Sequence, residues 1–135
     1  MNQLINEGDL MKNMLDENKP IFLQIKEQIE DSIINDSLKP GDRVPSTNEL
    51  AAYYKINPAT AAKGINELVM ESILVKRRGV GMFVTEDAQK ILIEKRKESF
   101  YQNYVLPLKN EAGKLYISKM ELLEMVERED KHDED

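Results

Sequence analysis

Apolar residues recur at helical spacing from Pro20 onward. Ile21, Phe22, Ile25, Ile29 and Ile33 stand three or four positions apart, with Lys26, Glu27, Glu30 and Asp31 among them. That period predicts an amphipathic helix with the four charges on its solvent side. Proline suits its first position, where a missing N–H costs least. The run "LKPGDRVPS", with two prolines and a glycine, ends it. Ser46 and Glu49 have capping-box spacing and open a short helix through Leu50, Ala51 and Tyr54. After "YKI", Asn57 as N-cap and Pro58 in the first turn open a third helix reaching roughly Glu71. Ala61, Ile65, Leu68 and Val69 form its narrow buried stripe. Helix, short turn, helix is the helix-turn-helix pattern.

Two short apolar runs follow, Ile73–Val75 and Met82–Val84, with "KRRGVG" between them. Gly79 and Gly81 suit a turn that needs positive φ, so a β-hairpin with Arg77 and Arg78 near its tip is predicted. Residues 20–85 thus read as a winged helix-turn-helix, mainly α with a small β-hairpin. Beyond Thr85, Ala88, Ile91 and Leu92, then Phe100, Tyr101 and Tyr104, predict a long amphipathic segment ended near Pro107, with "KNEAGK" as a connection. Ser118 and Glu121 form a second capping box for a last helix carrying Leu122, Leu123 and Val126. Two helices in about 50 residues bury little core alone. Residues 86–128 are therefore expected to pack on a second copy, with Ile91, Leu92, Phe100, Tyr101, Tyr104, Leu122, Leu123 and Val126 at the dimer interface. Residues 1–19, with Met11 and Met14, read as a loose arm, and 129–135 as an acidic tail.

Composition narrows the chemistry. The 135 residues fit one domain of ordinary size, and no cysteine is present. That excludes thiolate nucleophiles, disulfides, zinc fingers and iron–sulfur clusters. The single histidine, His132, lies in the acidic tail, so Ser-His-Asp and Cys-His catalysis and histidine metal sites lose their central residue. Carboxylates are scattered over helix faces without a clustered motif. No enzymatic activity, metal or cofactor is expected. The longest charge-free stretch, Ser99–Leu108, has ten residues; a spanning helix needs about 20 apolar ones. The start "MNQLINEGDLMKN" lacks the basic-then-apolar order of a secretory signal, so a cytoplasmic chain without membrane contact is expected.

Charge is unevenly placed. The net charge is −6, yet residues 40–85 carry +2 while the segments on either side carry −4 each. An acidic body with a basic working face repels DNA except where it docks. A recognition helix presents its N-terminal residues to base edges. Here those are Asn57, Pro58, Ala59, Thr60 and Lys63. Asparagine can pair with adenine, a threonine methyl can meet a thymine methyl, and lysine can reach guanine or a phosphate. Asn57 as an N-cap of its own helix is the plainer reading, as is capping for Ser46. Ser46, Thr47 and Asn48 open the second helix, where hydroxyl, amide and N–H groups suit phosphate oxygens. Arg43, Lys76, Arg77 and Arg78 supply cations, and Arg78 beside Gly79 is placed to skirt a minor groove.

The run "LKPGDRVPSTNELAAYYKINPATAAKGINELVMESILVKRRGVGMFV", with "PIFLQIKEQIEDSI" before it, resembles the N-terminal domain of GntR-family transcriptional regulators over about residues 20–85. The shared pattern is Pro-Gly, apolar-Pro-Ser, Glu-Leu-Ala, "NPxT" in the recognition helix and "RRGxGxFV" in the wing. The short remainder is similar to the YtrA-like subfamily, in which two C-terminal helices dimerise the protein. The resemblance implies a homodimeric repressor on an inverted-repeat DNA operator, controlling a neighbouring transporter operon. It also implies that Arg43, Ser46, Thr47, Asn48, Asn57, Thr60, Lys63, Arg78 and Gly79 occupy DNA-contact positions or their neighbours. Three positions depart from the family pattern. Ala62 stands where many relatives carry a long polar or basic side chain, which implies that base readout there is lost or moved to Lys63. Gly64 interrupts the recognition helix, and Ser72 replaces the glycine usual after it, implying a turn that is strained or differently shaped.

An alternative remains at this stage: a winged-helix adaptor that binds proteins and not DNA. The acidic total favours it, and the wing arginines oppose it. The aromatics Phe100, Tyr101, Tyr104 and Tyr116 fit a dimer core, with a small-molecule effector pocket as their second use.

Overall fold

The computed structural model describes residues 18–130. Helix α1 spans Ile21–Ile34, with Pro20 at its N-cap, one position earlier than predicted. Strand β1 is Arg43–Val44, helix α2 is Thr47–Tyr54 and helix α3 is Pro58–Met70. Strands β2 (Leu74–Arg77) and β3 (Gly81–Val84) form the hairpin, and helix α4 follows over Ala88–Phe100. The chain divides into two compact units, Met1–Lys95 and Arg96–Asp135. The predicted arm and tail fall mostly outside the described residues, as does His132.

In the first unit, Ile25, Ile29 and Ile33 of α1 are buried against Leu50 of α2, Ala61, Ile65 and Leu68 of α3, and Ile73, Leu74 and Val84 of the hairpin. Leu92 of α4 is fully buried in this core, and Ile91 packs against it. The expected interface role of Leu92 is thereby corrected: a side chain with no exposed surface cannot face a second copy. Gly64 explains its own presence. A Cβ there would stand 2.7 Å from the Phe22 carbonyl oxygen, so its absence lets α1 cross α3 at close range.

Two charges on α1 do not take the solvent side. Lys26 and Glu30 are both buried. Lys26 Nζ donates to Glu71 at 2.7 Å and Glu67 at 3.1 Å, and Lys95 Nζ donates to Glu71 at 3.2 Å and Glu30 at 3.3 Å. Burial opposes the charge on Glu71, but the hydrogen bonds from Lys26 and Lys95 outweigh it and hold its carboxyl below 4.5. Burial likewise opposes the charge on Lys26, and its bonds to Glu71 and Glu67 raise it above 10.5. A depressed carboxylate contributes stability above its unfolded value that is lost as pH falls through the folded one. A raised ammonium contributes below 10.5 and loses that contribution as pH rises further. Urea midpoints should therefore hold level between these limits and fall on both sides, with Glu71→Gln flattening the acid limb. Lys26→Met removes the pair with Glu67 and leaves Glu71 with Lys95 as its remaining partner, and should cost about 2 kcal/mol, below the range for fully buried pairs because both glutamates are partly exposed.

The sheet has three strands in the order β1-β3-β2, all antiparallel. The hairpin loop is Arg78-Gly79-Val80, closed by Val80 N–H donating to the Arg77 carbonyl at 2.9 Å, with Gly79 at φ +75°. A three-residue loop with glycine in the left-handed region is a common hairpin closure. Strand β1, which the apolar pattern did not predict, pairs Arg43 with Phe83 and Val44 with Met82. Ser72, just after α3, sits at φ +65°. The strain expected there is present, and Ser72→Gly should raise unfolding free energy by roughly 0.5–1 kcal/mol in urea titrations.

In the second unit, a π-helical turn, Tyr101–Val105, runs into helix α5, Leu106–Lys114, and helix α6 spans Lys119–Glu127. Pro107 does not end a helix, and "KNEAG" is helical and not a connection. The proline stands second in α5, directly after the π-helical turn, in a helical run unbroken from Tyr101 to Lys114. The actual connection is 115–118, with Tyr116 at φ +57°. Ser118 and Glu121 form the predicted capping box.

Candidate nucleic-acid interface

The predicted site residues gather on three features of the first unit. The first is the start of α2. Ser46 accepts from Glu49 N–H at 3.0 Å, and Glu49 Oε1 accepts from Ser46 N–H at 2.7 Å. Ser46 is thus committed to its capping box, while Asn48 is exposed and Thr47 half-buried. The second is α3. Asn57 Oδ1 accepts from Ala59 N–H at 2.8 Å, so the capping role holds for it too. Pro58, Ala59 and Lys63 are exposed and Thr60 is half-buried. Asn66 and Met70 share the outer stripe with Ala59 and Lys63. Sequence reading passed over Asn66, although its spacing of three from Lys63 was the available signal.

The third feature is the outer face of the sheet. Directly paired residues of an antiparallel ladder share a face, so Arg43, Phe83 and Val75 lie together, with Arg77 and Gly81 two positions on. Arg77 stacks on Phe83, its guanidinium carbon 4.7 Å from the ring centroid. Gly81, at φ +136°, leaves room for Arg43: a Cβ there would stand 2.9 Å from Arg43 Nε. The Arg43 guanidinium reaches across that gap to within 3.8 Å of Glu49 at the start of α2. Lys76 alternates to the other face, paired with Met82. Arg78 and Gly79 project at the exposed tip.

Two aromatic partners were missing from the sequence reading. Phe83 holds Arg77, and Phe22 of α1 lies 4.1 Å from Lys63 Nζ. Phe83 was accessible from strand alternation. Phe22 stands 41 positions from Lys63, and no local spacing connects them.

In the second unit, Phe100, Tyr104, Leu108, Leu122, Leu123 and Val126 line an open apolar groove. Tyr104 and Val126 are 65% and 68% exposed, far more than buried-core positions tolerate. Tyr101 lies outside that lining, its ring beside Lys109, whose Nζ donates to the Tyr101 hydroxyl at 3.1 Å. Among the described residues, no helix is long and apolar enough to cross a membrane.

Three helices, a three-stranded sheet and a hairpin tipped with arginine define a winged helix-turn-helix regulator. Residues 22–84 match the sequence model of the bacterial regulatory proteins, gntR family. The chain is 32% identical over 114 residues to the uncharacterized HTH-type transcriptional regulator YhcF of Bacillus subtilis, covering 84% of this chain and 93% of that protein. It is 39% identical over 75 residues to the HTH-type transcriptional repressor YtrA of the same organism, covering 56% of this chain and 58% of that one. A solved GntR family transcriptional regulator from Listeria monocytogenes superposes with a TM-score of 0.66 at 30% identity, covering 86% of this chain and 100% of that one. The chain belongs to the GntR family of bacterial transcriptional regulators, and its relatives are regulators and not enzymes.

Proposed function

We propose that the chain is a repressor that binds an inverted-repeat operator in double-stranded DNA as a homodimer, in the cytoplasm. The observation that carries this reading is the set of cations on the first unit, exposed Lys63 on α3, Arg77 and half-buried Arg43 on the sheet and Arg78 at the hairpin tip, within an otherwise acidic chain. The N-terminal turns of α3 enter the major groove, and Arg78-Gly79 lies against the adjacent minor groove. The start of α2, with Thr47, Asn48 and Arg43, takes backbone phosphates. The likeness to YtrA, a transcriptional repressor, supports the direction of control.

The apolar groove of the second unit supports the homodimer, with a second copy as its occupant. Phe100, Tyr104, Leu122, Leu123 and Val126 form the interface, with Tyr101 at its edge. A two-fold dimer reads two half-sites about one helical turn apart. Sedimentation velocity should give twice the 15.6 kDa chain mass. Leu123→Asp should yield monomers whose first unit still melts cooperatively. A wild-type chain that sediments as a monomer at micromolar concentration contradicts the interface.

Affinity for the operator should fall with salt. With Arg43, Lys63, Arg77 and Arg78 of both subunits against the duplex, log affinity falls with log salt at a slope near −7, and a slope shallower than about −2 contradicts these contacts.

A further inference from the structure

We propose that Phe22, in the first turn of α1, is a positioning residue that determines operator specificity: its ring holds the Lys63 ammonium and directs that cation at one base position in each half-site. The inference rests on the DNA-reading function proposed above. Lys63 Nζ stands 4.1 Å from the centroid of the Phe22 ring, within the range of cation–π attraction. The neighbouring glycine brings the ring there. Because Gly64 has no Cβ, the Phe22 backbone occupies the space a side chain would need, its carbonyl oxygen 2.7 Å from the ideal Cβ position. The close approach of α1 at Gly64 thus lies one residue from the lysine that the ring meets.

Lys63 is also the side chain on which readout falls. The exposed stripe of α3 runs through Ala59, Lys63, Asn66 and Met70, and Ala62 beside it is equally short. Lys63 is the first residue on that face long enough to donate to a base edge. A lysine is otherwise a compact charge on a flexible stem, able to serve phosphate or guanine alike. A ring fixed on a neighbouring helix removes much of that freedom, and it leaves the ammonium N–H groups available to guanine O6 and N7. Phe22 acts through Lys63 and touches no base itself.

The test compares binding sites selected from a random duplex pool by the wild-type chain, Lys63→Ala, Phe22→Leu and Phe22→Tyr, with thermal melts of each. Lys63→Ala should lose base preference at one position of each half-site, by about tenfold. Phe22→Leu keeps apolar volume without the ring, and should weaken preference at that same position by about threefold, leaving other positions unchanged. Phe22→Tyr restores the ring and should restore the preference. In the Lys63→Ala background, Phe22→Leu should change selectivity no further. Lys63→Ala with an unaltered site overturns the inference. So does Phe22→Leu that lowers affinity evenly at all positions with a lower melting temperature, which marks a purely structural residue. A wild-type chain that enriches no site removes the DNA-reading function itself, an outcome distinct from a selective wild type with indifferent variants.

Discussion

Gly64→Ala is expected to lower unfolding free energy by about 2 kcal/mol, against the helix-propensity trend. Alanine is favoured over glycine in a helix interior by up to about 1 kcal/mol. Here the added methyl would meet the Phe22 carbonyl oxygen at 2.7 Å, with the Phe22 carbonyl carbon at 3.6 Å and Lys26 N at 3.7 Å. All three are backbone atoms, so no rotamer change relieves the contact and α1 itself must move. Ile25, Ile29 and Ile33 on that helix are fully buried, and shifting them disturbs the core. Urea denaturation with an unchanged slope would measure the loss. A more stable alanine variant would show that α1 and α3 do not cross at this distance.

The second large effect is on DNA. Replacing Arg77 and Arg78 together by alanine should weaken operator binding by at least about 100-fold at physiological salt and reduce the salt slope from near −7 to near −4. Both arginines are exposed, so unfolding free energy should change by less than about 1 kcal/mol. Arg77 loses its stacking on Phe83, a contact at 4.7 Å on the outer face of the sheet. Fluorescence anisotropy with a labelled duplex across a salt series reads both quantities. Unchanged affinity and slope would take the wing out of the interface.

The helices and the hairpin were legible because their signals are local. Ser46 with Glu49, Asn57 with Pro58, and Ser118 with Glu121 cap helices within four residues of chain, and each does so. Strand β1 was not legible, since two residues show no alternation and its partner lies about 40 positions away. Lys26 and Glu30 follow the polar face of α1 by period, yet their partners Glu67, Glu71 and Lys95 come from distant segments that close over them. Leu92 shows the same limit from the apolar side: helical spacing marks a residue for burial without saying which body covers it. Pro107 predicts a helix end because an interior proline breaks the ladder, whereas here it follows a π-helical turn and the helix runs on through it.

For the candidate interface, the cations were visible in the sequence, and the groups that hold them were not. Arg77 and Arg78 announce themselves beside a glycine turn. That Phe83 and Phe22 carry Arg77 and Lys63, and that Gly81 clears a path for Arg43, follows only from strand register and helix crossing. Asn57 and Ser46 show the converse. Their side-chain oxygens cap the helices that bear them, so the proposed DNA contacts rest on Lys63 and the arginines.

The most direct measurement is selection of binding sites from a random duplex pool with the 135-residue chain at near-physiological salt. The expected result is an enriched inverted repeat with half-sites about one helical turn apart, lost when Arg77 and Arg78 become alanine. Failure to enrich any sequence, with no duplex binding even at low salt, would contradict the DNA-reading dimer and favour a winged helix that binds proteins.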